Sequence, residues 1–180
     1  MTFEMPASLE CAVLKLRPVS ASDFEVLYAV AADPLIWEQH PNPDRYRRDV
    51  FANYFQGALA SGGAWLVFDA KANQLIGCSR YYEFDPVARS IAIGYTFIAR
   101  SHWGGGYNRP LKKLMLDHAF RFVEKVIFHV GESNLRSRIA MERLGAALVG
   151  VVEVAYYGEA RKPNAIYEIT RQYWTQSRLT

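Results

Sequence analysis

The chain has 180 residues, 51% of them hydrophobic, and 21 Lys and Arg against 18 Asp and Glu give a formal net charge of +3. That length supports one domain with a substantial core, 1–180, and the mild, interspersed charge gives no case for nucleic acid. No apolar run approaches the ~18 residues that would cross a membrane. Met1–Leu9 carries Glu4 and Pro6 and lacks the apolar stretch of a signal peptide. Cys11 and Cys78 have neither metal-ligand spacing nor the density of a disulfide scaffold. They read as small buried strand residues in a reducing cytosol.

Cys11–Arg17 alternates as a strand, with Ala12, Leu14 and Leu16 on one face. Ser22-Asp-Phe-Glu25 has the form of a capping box opening a helix to about Ala32. Asn42-Pro43 precedes a second helix from about Asp44 to Ala60, ended by Gly62-Gly63; its basic cluster Arg45-Tyr-Arg-Arg48 reads as a solvated face. Ala64–Asp69, Leu75–Phe84 and Ser90–Ile98 are three antiparallel strands joined by turn residues. A helix spans Arg109 to Phe122, a strand Lys125–Val130, a helix Ser133–Leu144, then strands Ala147–Tyr156 and Ala165–Tyr173. This order is that of an α/β sandwich on a mixed sheet.

Three glycines, Gly104, Gly105 and Gly106, separate the strand ending at Ile98 from the helix near Arg109. Glycines there let backbone N–H groups crowd an anion beside the partial positive charge of a helix N-terminus. A structural turn would look much the same. The loop is not a Walker A, because Tyr107-Asn108 follows Gly106, and it is a poor dinucleotide fingerprint, because no acidic residue terminates a second strand about 20 residues on.

Trp103-Gly-Gly-Gly-Tyr107 resembles the W-G-x-G-Y segment of the GNAT acyltransferases, in the branch that includes the ribosomal-protein N-terminal acetyltransferases. Asn134-Leu-Arg-Ser-Arg-Ile-Ala-Met-Glu-Arg-Leu-Gly-Ala146 is similar to that family's N-x-R-S helix, and Leu75-Ile-Gly-Cys78 with Ile93-Gly-Tyr95 to its central hairpin. The matches keep the family's order and cover residues 64–148 well. The resemblance implies a GNAT acyl-CoA N-acyltransferase fold, with a mixed, mostly antiparallel sheet of about seven strands flanked by about four helices.

It also implies acetyl-CoA as cofactor, its diphosphate on the loop amides of Trp103, Gly104, Gly105, Gly106, Tyr107 and Asn108. Arg109 and Lys112 are added cations, or merely exposed helix charges. Ser101 stands where the family usually has Gln or Arg, and Arg100 is a substitute. The pantetheine arm is expected to pair like a strand with Tyr95, Thr96, Phe97 and Ile98, where the family's parallel strands part. Many members protonate the leaving thiolate with a Tyr, but that position is Met141. Ser137 is the remaining candidate acid or a plain surface hydroxyl. Asn134 is a coenzyme ligand or a helix cap.

The branch often has a Glu base before the Ile-Gly of its central strand, and here that residue is Ala92. Glu83, as a buried carboxylate with a raised pKa, and Glu38 or His40 in the loop between the first helices are the alternatives. Trp37 either walls an acceptor pocket or anchors its loop, and Arg80 and Tyr81 face opposite sides of their strand. Arg80 clamps a carboxylate or pairs with an acidic neighbour. Tyr156, Tyr157, Tyr167 and Tyr173 are expected to pack the C-terminal strands. The expected activity is transfer of an acetyl group to a primary amine, of a protein N-terminus or a small molecule, by direct attack in a ternary complex. The other reading is a coenzyme A-binding regulatory domain without turnover. The expected form is a cytosolic monomer or homodimer, away from nucleic acid and membrane, with no metal.

Overall fold

A computed structural model describes residues 2–177. Its eight strands form one sheet in the order β1-β2-β3-β4-β5-β6-β8-β7. The strands are β1 (Leu9–Glu10), β2 (Leu14–Pro18), β3 (Ala64–Asp69), β4 (Gln74–Asp85), β5 (Ser90–Ile98), β6 (Lys125–Gly131), β7 (Ala147–Ala155) and β8 (Arg161–Thr170). The helices are α1 (Phe24–Ala31), α2 (Arg48–Ser61), α3 (Asn108–Ala119), α4 (Leu135–Leu144) and α5 (Arg171–Ser177). All neighbouring strands are antiparallel except β5 and β6.

The helices cover both faces because each carries one apolar stripe. On α2, Phe51, Tyr54, Phe55 and Ala58 recur at helical spacing and are buried with Leu27 and Ala31 of α1 against Leu66, Cys78 and Phe97. On the opposite face Leu111, Met115, Leu116 and Ala119 of α3 join Met141 of α4 over Ile91, Ile93, Val126 and Phe128. The alternation of β6 divides these faces: Val126, Phe128 and Val130 are buried toward α3 and α4, which turns Ile127 and His129 the other way.

Several expectations are corrected. The last strand stops at Thr170, and Tyr173 lies on α5 instead. The second helix is broken: Pro43–Tyr46 is a 3-10 turn, and α2 begins only at Arg48. The box at the first helix forms two residues early, where Asp23 accepts from the Ser20 N–H at 2.7 Å and from Arg17 at 2.7 Å. The Arg17 guanidinium holds the Asp23 carboxyl well below the usual carboxylate range. Glu25 instead pairs with Arg48. Cys78 is buried, but Cys11 is exposed because it sits in the bend between β1 and β2. Among the tyrosines Tyr167 is core, Tyr156 is buried at the hairpin end, and Tyr157 and Tyr173 are exposed.

Candidate active site

The parallel pair β5 and β6 stays in register only for Ser90, Ile91 and Ala92 against Lys125, Val126 and Ile127, and then parts. A bulge drives this. Between Arg80↔Gly94 and Cys78↔Phe97, β5 has one residue more than β4. Tyr95 takes φ +51° there, in the left-handed region. Its ring is thrown toward α2, where its carbonyl accepts from the Tyr54 hydroxyl at 2.6 Å. The strand's remaining length borders a cleft of about 1110 Å³, larger than the usual small-molecule pocket.

One end of the cleft is the glycine loop. Gly104 and Gly106 have φ +73° and +79°, and a Cβ at either would meet nothing within 4 Å, so the loop's conformation, not crowding, calls for glycine. Among the described residues the N–H groups of Gly104, Gly106 and Tyr107 have no acceptor. Trp103 pins the loop by donating to the Ile98 carbonyl at 2.9 Å, and Tyr107 donates to Asp69. Arg109 is exposed at the start of α3 with no partner among the described residues, whereas Arg100 is paired with Asp33 at 2.7 Å. Free amides, a helix N-terminus and a free cation make an anion cradle.

Lys112 departs from expectation. Rather than reaching the loop, its Nζ turns inward to Thr96 Oγ1 at 2.6 Å and is 3% exposed.

The middle of the cleft is roofed by α4. Asn134 caps this helix, its Oδ1 accepting from the Ser137 N–H at 3.1 Å, and its Nδ2 has no partner among the described residues. Ser137 lines the cleft beside buried Met141, its hydroxyl without a partner among the described residues.

The far end is an aromatic box. Trp37, Tyr54, Tyr95 and Tyr156 surround the Arg45 guanidinium at 5.7, 5.2, 5.5 and 5.4 Å from their ring centres. Arg45 is 1% exposed and pairs with Glu159 at 2.8 Å, so the basic cluster is not a solvated face. Trp37 is itself anchored, donating to the Ala31 carbonyl at 2.8 Å, and also lines the cleft. His40 has both ring nitrogens engaged: Nδ1 accepts from the Asn42 N–H at 2.9 Å and Nε2 stands 3.1 Å from Arg45 Nη1. Burial and the Arg45 charge hold it neutral, well below its ordinary pKa. Glu38 pairs with Arg136 at 3.2 Å, and that arginine also stacks 4.0 Å from the Trp103 ring centre.

Three expected residues lie elsewhere. Tyr81 points into the core under α3, donating to the Met115 carbonyl at 2.6 Å. Arg80 and Glu83 line a separate hollow of about 310 Å³. Arg80 is buried against the Tyr95 ring at 3.8 Å and donates to the Tyr54 carbonyl at 2.9 Å, so its partners are a ring and a carbonyl, not an acid. Glu83 is exposed, which removes the buried carboxylate it was expected to be.

His129 was missed by the sequence reading. It lines the cleft on β6 beyond the parting, with Nδ1 2.8 Å from the Tyr82 hydroxyl and no partner at Nε2 among the described residues. Partial burial lowers its pKa, while the Glu83 charge opposes that shift. Its only sequence signal is its place in the Lys125–Val130 alternation. Among the described residues no group of three His, Cys, Asp or Glu side chains can hold a metal ion.

An anion cradle leading through a parted sheet to an aromatic pocket is the architecture of an acyl-transfer enzyme. A family model described as the acetyltransferase (GNAT) domain matches residues 14–147, and the chain belongs to that family. No curated protein matches it. A GCN5-related N-acetyltransferase from Brucella melitensis is 17% identical with TM-score 0.79, covering 97% of this chain and 83% of its own. A spermidine N-acetyltransferase from Vibrio cholerae, solved with CoA and spermine, is 21% identical with TM-score 0.68, over 92% and 99%. A GNAT-family acetyltransferase from Bacillus anthracis is 17% identical with TM-score 0.69, over 92% and 99%. At these identities the likeness to solved structures is one of fold.

Proposed function

We propose that this is a single-domain, cytoplasmic N-acetyltransferase that moves an acetyl group from acetyl-CoA to a primary amine within a ternary complex. The observation that carries the reading is the continuous cleft from the glycine loop to the Arg45 box. Its length and its anion-binding end suit a long thioester with a diphosphate, and its far end leaves room for an acceptor.

Acetyl-CoA supplies the activated acyl group. The amides of Gly104, Gly106 and Tyr107, with Arg109, hold the diphosphate. The freed edge of Tyr95, Thr96, Phe97 and Ile98 pairs with the pantetheine amides, and Asn134 Nδ2 adds a donor. Ser137 donates to the departing sulfur, the task Met141 is unable to do. His129 takes the acceptor's proton: when Nδ1–H donates to the Tyr82 oxygen, the Nε2 lone pair faces the cleft. His40 lacks a spare nitrogen and shapes the pocket instead. Holding both reactants along one cleft provides the remaining acceleration. The acceptor is the amine of a protein N-terminus or a small molecule. The exposed edge strand β7 is the surface through which a homodimer would pair.

A second reading, a coenzyme A-binding regulator without turnover, draws on Met141 and Ala92 at positions where family members often carry Tyr and Glu. Thermal unfolding with acetyl-CoA, followed by thiol detection over an amine panel, separates them. Ligand at ~100 times its dissociation constant stabilises by ~2.7 kcal/mol, and Gly106→Glu abolishes the shift. Thiol release dependent on an amine sustains the enzyme. Binding without release leaves the regulator, and no wild-type shift overturns both.

A further inference from the structure

The cleft contains a primary amine of its own. Among the described residues Lys112 Nζ has one hydrogen-bond partner, Thr96 Oγ1 at 2.6 Å, and it sits 5.8 Å from the Phe128 ring centre. Among the described residues no carboxylate pairs with it. Other lysines differ: Lys113 pairs with Asp117 at 2.7 Å and Lys125 with Glu168 at 3.0 Å, both part-exposed. Thr96 lies on the stretch of β5 that has left β6, and its hydroxyl also meets Ser79 Oγ at 2.8 Å. Lys112 therefore stands in the fork of the sheet, lining the same cleft as Asn134 and Ser137.

We propose that Lys112 is an internal acyl acceptor, taking the acyl group onto Nζ when acyl-CoA fills the cleft and no amine substrate is bound. The inference rests on the acyl-CoA reading of the cleft. The Nζ lone pair attacks the thioester carbonyl, the new C–N bond forms as the C–S bond breaks, and coenzyme A leaves as the thiol with the proton the amine gives up. No oxidant or reductant is needed. The product is an amide, which does not pass the acyl group on, so the reaction marks the protein and fills the fork. Burial without a carboxylate favours the uncharged amine, pulling its pKa from 10.5 to about 7. Only that form is nucleophilic. Thr96 holds Nζ in the fork in the meantime.

The test incubates the whole protein with acetyl-CoA and no amine, and follows intact mass and peptide maps over time. Lys112→Arg and an excess of coenzyme A run in parallel, with thermal unfolding to report binding. The expected result is one acetyl group on Lys112, gained at least about tenfold faster than on exposed Lys71 and suppressed by coenzyme A. Lys112→Arg keeps the acetyl-CoA thermal shift and takes up no fast acetyl group. A clear thermal shift with Lys112 modified no faster than Lys71 overturns the inference and leaves the acyl-CoA reading intact. No thermal shift in the wild type overturns both.

Discussion

Arg45 and Glu159 meet twice across 114 positions of sequence, Nε to Oε1 and Nη2 to Oε2, each at 2.8 Å. The pair fastens the turn before α2 to the turn between β7 and β8, and so closes the aromatic end of the cleft. Their side chains are 1% and 9% exposed, which makes removal of one partner costly: the other charge stays buried. Glu159→Gln is expected to destabilise by about 3 kcal/mol in chemical denaturation, with four rings partly sheltering the arginine. A loss under about 0.5 kcal/mol, typical of surface pairs, would show that the pair is not shut off from water.

The charge of the cleft sets what enters it. Its acidic lining among the described residues is Glu38, already paired with Arg136, against Arg45, Arg109, Arg136 and Arg143. A polyamine brings extra positive charges with no free carboxylate to meet them. Spermidine is therefore expected to be at least about tenfold poorer in kcat/KM than a monoamine of similar length. Equal rates would refute this reading of the pocket.

For His129 the sign is set by a lowered pKa. With the neutral ring as the proposed base, activity should be flat through neutrality and fall only as pH drops below its ordinary value of 6.5. The groups facing it are Tyr82 and Glu83 of β4, with Tyr156 donating to its carbonyl at 3.3 Å. His129→Gln is expected to lower kcat/KM about a hundredfold and erase this acid limb, while the acetyl-CoA thermal shift stays. An unchanged limb would assign the proton to another group.

Lys112 should leave a trace in stability without any ligand. Its pKa is about 7 folded and near 10.5 unfolded, so between these values the unfolded chain binds more protons. Wild-type stability is then expected to gain a rising contribution from pH 7 to 10 that Lys112→Met lacks. At pH 7 the methionine variant should be more stable, on the order of 1 kcal/mol. Parallel pH curves for the two proteins would contradict a buried, depressed lysine.

Turn chemistry made the central hairpins readable. Ala64–Asp69 and Ser90–Ile98 have the bounds their sequence implies, because Gly62-Gly63, the Lys71–Asn73 turn and Asp85-Pro86 punctuate them. The glycine loop was legible for the same reason. Arg45 was not, since its partner is distant in sequence and Pro43 resembles an ordinary helix start. Arg171-Gln-Tyr-Trp continues a strand by composition, yet packing makes it helical. His129 escaped because one histidine on a half-buried strand looks like any other until the neighbouring strand departs.

The sheet order also constrains how the chain is made. Among the described strands β8 is synthesised last but lies between β6 and β7, pairing with seven residues of one and eight of the other. A nascent chain that has reached β7 has nowhere to put it, and the edge of β6 beneath α4 remains bare. Only when the segment 161–170 leaves the ribosome does it slot in and draw the preceding hairpin turn, with Glu159, toward Arg45. Pairing of this segment is thus the step that closes the aromatic end of the cleft, and a chain truncated before residue 161 is expected to keep its glycine loop while Glu159 has no strand to carry it to Arg45.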